Sequence, residues 1–381
     1  MKKKLLAFIL CLAMLALTLA GCANPEPQQP QQPSGTSGAQ SPATADAGTQ
    51  NDATDDLPVI RYGIFGTMIK GALPIIADEL GLDIEEGVDI QLVSTQASAD
   101  ALTSIITGKD ELDVWGMQIM PTCNFIANGA DLVIFGGNAA EGGAMIAAKG
   151  KGAEFKDLNN LKGKTILGIR GETGFITVIG LLQGLGFDME KDVTIKWTDA
   201  PSVLEGVVKG EGDVGFLPIE YTYFDEAVNA EVVCPVGELA ENYICCRLAT
   251  SRTILEARRA DFVNVIKASI RAYKVYREDP ETTIRILAAF SGQTEEYIKK
   301  NVYESRIKFT PDPYSDAVGP FYEVLKNMDF VDDPDSAVDV YDHVDVSLYK
   351  QALDEIVAEY PNDPTYQELV QLFDRQNASA Q

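Results

Sequence analysis

Apolar positions from residue 59 onward follow two alternating patterns. Short runs rich in β-branched residues, at 59–65, 88–93, 112–116 and 132–135, read as strands. Stretches with helical spacing separate or follow them at 72–80, 97–107 and 119–127. The alternation then begins again. Strands are predicted at 164–169, 193–197, 214–217 and 232–233, with helices at 173–185, 203–208 and 221–228. Such interleaving predicts an α/β protein with mostly parallel sheet and crossover helices. The two halves share a local unit. Leu102 to Gly108 precedes Asp113-Val114-Trp115-Gly116, and Leu204 to Gly210 precedes Asp213-Val214-Gly215-Phe216. In each, a helix ends at a glycine suited to the left-handed cap and a strand opens with Asp-Val. The repetition predicts two similar lobes. From Thr253 the chain turns almost wholly helical, and Phe262, Ile266, Ile270 and Tyr273 form an amphipathic face expected to pack on the first lobe.

The N-terminal pattern differs. Met1-Lys2-Lys3-Lys4 precedes an apolar run, 5–20, that closes in Leu19-Ala20-Gly21-Cys22. A basic head, a short apolar core and a small-residue cleavage site make a secretory signal, 1–21. The cysteine directly after Gly21 resembles a bacterial lipobox, so Cys22 is expected to carry the lipid that holds the mature chain outside the cytoplasmic membrane. Two acyl chains on one thiol satisfy the need for about two anchoring signals, at ~0.8 kcal/mol per buried CH2. Residues 22–57, rich in Pro, Gln, Ser, Gly, Ala and Thr, bury too little apolar surface to fold and are expected to be a disordered tether.

Charge narrows the partners. Removing the three leader lysines leaves 28 basic residues against 57 acidic ones, a net charge of −29. Phosphate backbones would be repelled, so nucleic acid is excluded as a partner. After Cys22 the chain keeps Cys123, Cys234, Cys245 and Cys246. The last two are adjacent and would close only a strained ring with each other. Cys234 is free to bridge either of them, or all remain buried thiols beside their apolar neighbours. There is no CxxC, and His343 is the only histidine, so no metal or cofactor is expected.

Several stretches together resemble the substrate-binding lipoproteins of ABC importers, in the group that binds nitrate, sulfonates, taurine and thiamine-pyrimidine precursors. The most specific is Phe155-Lys156-Asp157-Leu158-Asn159-Asn160-Leu161-Lys162-Gly163-Lys164-Thr165-Ile166. It is supported by the paired Gly…Asp-Val units, by Ala77 to Gly81 followed by Glu86-Gly87-Val88-Asp89-Ile90, and by Val344 to Tyr349, similar to the family's closing helix. The resemblance implies a two-lobed type II periplasmic-binding-protein fold, with its helix-rich C-terminal part packed on the first lobe. Lobe 1 would comprise 58–140 and 246–376, and lobe 2 141–245, with crossovers near 138–143 and 243–247. It further implies a monomer that closes on a small-molecule solute and delivers it to an ABC permease and ATPase.

In open α/β sheets, ligands collect at the carboxyl ends of strands. That rule selects Thr67 after the first strand, and Thr95 and Gln96 at a helix start that they could equally cap. It also selects Trp115 and Met117, where a flat ring could wall a solute, and Asn138 and Glu141 at the first crossover. In the second lobe it selects Arg170 and Thr173, where helix amides and a guanidinium suit an anion, then Glu220, suited to an amine or ring nitrogen. Tyr243 in the second crossover is a further aromatic candidate. Glu172 beside Arg170 weakens the anion reading, so a heterocyclic or aromatic solute is favoured over a sulfonate, taurine or nitrate. An enzyme is not expected. The fold resembles that of a pyrimidine-synthesising protein that consumes its own histidine with pyridoxal, yet these loops hold no histidine, and no Ser-His-Asp, Cys-His or HExxH arrangement occurs. A sensing or protein-binding surface lipoprotein is the alternative from another class.

Overall fold

A computed structural model describes residues 56–109, 111–223, 227–335 and 337–380. The expected signal, Cys22 and nearly all of the tether lie outside the described residues. The strands are β1 (Val59–Phe65), β2 (Asp89–Thr95), β3 (Val114–Trp115), β4 (Leu132–Ala140), β5 (Gly143–Ala148), β6 (Thr165–Gly168), β7 (Thr194–Trp197), β8 (Val214–Pro218), β9 (Ala230–Pro235), β10 (Ile244–Ser251) and β11 (Lys308–Phe309). They form two sheets, one ordered β11-β4-β10-β3-β1-β2 and the other β7-β6-β8-β5-β9. The longer helices are α1 (Ala72–Glu79), α2 (Ser98–Thr107), α3 (Ile119–Ala127), α4 (Thr173–Gly184) and α5 (Ala200–Lys209). They continue with α6 (Arg259–Glu278), α7 (Pro280–Ser291), α8 (Ser315–Asn327), α9 (Val346–Glu359) and α10 (Pro364–Gln376). The expected α/β class with two sheets is present. No described helix is long and apolar enough to cross a membrane.

The sheets are mixed rather than mostly parallel. β1 lies parallel to β2 and β3, and β6 parallel to β7 and β8. Antiparallel pairing centres on the strands that pass between the sheets, β4, β5 and β10, and β11 also runs antiparallel to β4. β4 carries the chain out, turning at Glu141-Gly142 into β5, and β10 brings it back beside β4 in the opposite direction. β5 in turn lies antiparallel to β8 and β9.

The repeated Gly…Asp-Val units have a common physical basis. Gly108 and Gly210 end their helices at φ 63° and 76°, where a side chain would be strained. Asp113 then accepts the backbone N–H of Arg61 on β1 at 2.8 Å, while its own N–H donates to the Arg61 carbonyl at 2.9 Å. Asp213 makes the same two bonds to Thr165 on β6, both 2.8 Å. Each aspartate thus pins a new strand to its sheet at the first residue.

Two predicted elements differ. The strand expected to end at Phe135 continues through Gly136, Gly137 and Asn138 to Ala140. Its glycines mark close backbone approach rather than a strand end: a Cβ on Gly137 would stand 2.1 Å from the Asp312 carbonyl oxygen and 2.6 Å from that of Thr310. The helix expected at 221–228 is replaced, among the described residues, by a single 3-10 turn at Ile219–Tyr221. Thr222 closes that turn onto the Ile219 carbonyl at 2.7 Å, and the aromatic and β-branched run Tyr221-Thr222-Tyr223 has little helical propensity to extend it.

α6 buries Phe262, Ile266, Ile270 and Tyr273 as its periodicity predicts, packing on α1 and α9. Phe262 meets Phe135 of β4 edge to face at 5.2 Å, which ties the helical region to the first sheet. Cys123, Cys234, Cys245 and Cys246 are free, buried thiols, so Cys234 bridges neither neighbour. Gly137→Ala should cost ~1–3 kcal/mol through the clash with the 310–312 backbone, measured by denaturant unfolding. An unchanged midpoint would show that this crossing is loose.

Candidate functional site

Two adjoining hollows open between the sheets at the carboxyl ends of β1, β2, β6 and β8. They share Phe65, Met68 and Pro218 as walls and enclose about 490 Å³ and 410 Å³. Together they form a cleft large enough for a small organic solute. Six of the residues selected by sequence line it. Thr67, Thr95, Gln96 and Glu220 face the first hollow, with Gln293 and Tyr297 of the helical region opposite. Arg170 and Thr173 face the second, with Gln118, Glu172 and Cys245.

The other five stand elsewhere. Trp115 is fully buried, its Nε1 donating to the Gln118 carbonyl at 3.3 Å and its ring edge-on to Phe65 at 5.1 Å. Phe65 therefore walls the cleft and Trp115 braces it from behind. Met117 is core. Asn138 lies within β4, where its Nδ2 donates to the Gly116 carbonyl at 2.9 Å. Glu141, at φ 60°, is buried and paired with Lys308 at 2.9 Å and Arg306 at 3.1 Å, and it accepts the Asn242 N–H at 2.9 Å. Tyr243 accepts the Gly143 N–H on its phenol oxygen at 2.5 Å and borders an apolar hollow with Leu181 and Phe321. Glu141 and Tyr243 join the two crossovers rather than lining the cleft.

Sequence reading missed Lys70, which lies at the centre of the site. Its signal was present: one lysine in the apolar stretch from Met68 to Ile76. Lys70 is 6% exposed, with its ammonium 3.6 Å from Glu220. Burial alone would lower its pKa. Glu220, Cys245, Cys246 and Glu172 around it outweigh that and raise it, so Lys70 stays charged. Glu220 has a second carboxylate oxygen, Oε2, that is buried and without a hydrogen-bond partner, and Gln118 Oε1 is likewise unpartnered. Both are acceptors available to an N–H donor.

Glu172 caps α4. Its carboxylate accepts the N–H groups of Gly174 at 3.0 Å and Phe175 at 2.6 Å. Burial pushes its pKa up to about 7, against the opposing pull of Lys70 and these two amides. The amides that would receive an anionic ligand therefore already hold a carboxylate of the chain itself. Arg170 donates to the Asp329 carbonyl at 3.2 Å and lies 4.8 Å over Phe330, so the guanidinium is held from its outer side. Thr95 donates its hydroxyl to the Ile64 carbonyl at 3.0 Å. Among the described residues no three His, Cys, Asp or Glu side chains are grouped to hold a metal ion.

Two sheets with a polar cleft at their facing strand ends are the architecture of the periplasmic-binding-protein fold. The sequence profile of the NMT1/THI5-like family matches residues 72–283, and the chain belongs to that family. No curated protein sequence matches it. Among solved structures it is similar to the aliphatic sulphonate binding protein SsuA of Escherichia coli, with TM-score 0.59 and 16% identity over 72% of this chain and 89% of that one. The nitrate-binding protein NrtA of Synechocystis PCC 6803 gives TM-score 0.61 and 13% identity over 79% and 89%. The desulfurization enzyme DSZB gives 0.53 and 13% over 78% and 99%, so the fold also hosts catalysis. At these identities the likeness is one of fold.

An acid whose folded pKa is raised carries a stability cost that is absent below its unfolded value and grows as pH rises through the folded one. Glu172 spans 4.5 to about 7. Glu172→Gln, which keeps an oxygen for the α4 amides, should gain ~1–3 kcal/mol on the wild type across that window. Paired melting curves at each pH measure it, and a pH-independent difference would contradict the assignment.

Proposed function

We propose that the protein is the extracytoplasmic solute receptor of an ABC importer and that its solute is a neutral or cationic nitrogen heterocycle. The observation that carries this reading is Glu172 on the α4 amides. A sulfonate or nitrate placed there would compete with a covalently attached carboxylate. By contrast, Glu220 Oε2 and Gln118 Oε1 offer acceptors to ring or amino N–H groups, and Phe65, Met68 and Tyr297 offer apolar and aromatic surface to a ring. Lys70 supports the same reading, since its charge is already balanced by Glu220. Arg170 and the likeness to sulphonate- and nitrate-binding proteins support a sulfonate, taurine or nitrate anion as the second reading. Attachment through a lipid on Cys22, with residues 23–57 as tether, would hold the receptor beside its permease at high effective concentration.

A thermal-shift screen of the full chain against pyrimidines, flavins, amino acids, sulfonates and nitrate tests the solute class. Ligand at 100 times its Kd adds ~2.7 kcal/mol to stability. Stabilisation is expected from nitrogen heterocycles, with affinity falling on the order of tenfold in Glu220→Gln, or ~1.4 kcal/mol. Stabilisation by sulfonates or nitrate, lost in Arg170→Ala, would establish the anion instead. Fatty-acid labelling in the producing cell, abolished by Cys22→Ala, is the expected result for the anchor; label retained in that variant would refute it.

A further inference from the structure

β10 carries an irregularity at the edge of the cleft. Ile244 pairs with Ala140 and Cys246 with Ala139, so Cys245 is an extra residue set against a single step of β4. Adjacent side chains on a regular strand point to opposite faces. A bulge re-aims one of them, and here the two sulfurs stand 3.4 Å apart. Cys245 lines the second hollow, among Lys70, Glu172, Thr173 and Gln118, while Cys246 lies fully buried behind it.

We propose that Cys245 and Cys246 form a redox-active dithiol at the base of the cleft, oxidised by a peroxide to a reversible vicinal disulfide. Cys245 is the nucleophile. The hydrogen bond from Cys246 lowers its pKa, and Lys70 and a hydrogen bond from Thr173 add to that, outweighing burial and Glu220. Cys246 is pushed the other way, so it waits as the protonated partner. The other two described thiols lack this setting: burial raises Cys123 to about 12 and Cys234 to about 11. Thiolate character decides which cysteine reacts.

The steps balance. The Cys245 thiolate attacks one peroxide oxygen, the O–O bond breaks, and hydroxide leaves to be protonated to water. The Cys246 sulfur then attacks the resulting sulfenic acid. The S–O bond breaks, and the hydroxyl departs as water with the Cys246 proton. The dithiol has lost two hydrogens, and a hydrogen peroxide has become two waters. Neighbouring Cα atoms lie ~3.8 Å apart, below the usual disulfide span of about 4.4–6.8 Å, so the ring is strained and easily reduced. Such a bond suits a switch rather than a brace. Its formation would remove the thiolate from beside Lys70 and leave Glu220 and Glu172 as the ammonium's remaining partners.

The test uses the full-length protein, reduced and then treated with one equivalent of hydrogen peroxide. The expected product has lost two hydrogens by intact mass, carries the bridge within the peptide containing Cys245 and Cys246, and returns to the dithiol with dithiothreitol. On the untreated protein at neutral pH, iodoacetamide should modify Cys245 on the order of tenfold faster than Cys123 or Cys234. Cys246→Ser should halt the reaction at a Cys245 sulfenic acid that dimedone captures. Equal alkylation rates at the three sites, a bridge between two molecules, or Cys245 passing directly to sulfinic acid in the wild type would overturn the proposal. No arm uses a solute, so this result stands or falls separately from the solute reading.

Discussion

A charged lysine at the base of the cleft is the constraint around which the site is arranged. An ammonium out of water is costly unless opposite charge and hydrogen-bonding groups surround it. Lys70 meets that condition by drawing on separate parts of the chain. Glu220 comes from the end of β8, Glu172 from the start of α4, and the cysteine pair from the returning strand β10. These groups belong to both sheets, so Lys70's charge compensation is also a bond between the sheets. Removing either acid would leave the ammonium short of negative charge at a place water does not readily reach.

That arrangement also explains why a chain with net charge −26 can carry a cationic point in its cleft. The overall field governs what approaches from a distance, whereas the cleft is governed by groups within a few ångströms. Locally, one lysine is set against two carboxylates and a thiol of lowered pKa, and a solute must enter this small balanced network. On the proposed reading, hydrogen-bond donors complementary to the unpartnered oxygens of Glu220 and Gln118 would fit it better than a further negative charge.

Local patterns were the most legible in the sequence. Strand and helix alternation, the glycine caps and the Asp-Val openings depend on neighbours a few residues apart, and the structure reproduces them except at 221–228 and beyond Phe135. The strand-end rule likewise placed Thr67, Thr95, Gln96, Arg170, Thr173 and Glu220 near the cleft. Orientation was not legible. Nothing at Trp115 tells whether its ring looks into the cleft or behind Phe65, because that depends on which neighbour reaches the gap first. Asn138 and the two glycines before it read as a loop only because the 310–312 segment that crosses them lies far along the chain. Convergence was hardest to see. Lys70 stands out only as one lysine in an apolar stretch, and its partners become visible only when the ends of β8 and β10 are brought beside it.

The two crossovers are stitched together edge to edge. The Glu141 N–H donates to the Tyr243 carbonyl at 3.0 Å, the Tyr243 phenol receives Gly143, and the Glu141 carboxylate receives Asn242 while gripping Arg306 and Lys308. Two peptide ribbons bonded side by side behave as a flat leaf spring. Such a spring flexes across its width but resists shear and torsion, because those would break the cross-links. Were the sheets to move relative to one another, these cross-links would favour bending over shear at the crossovers.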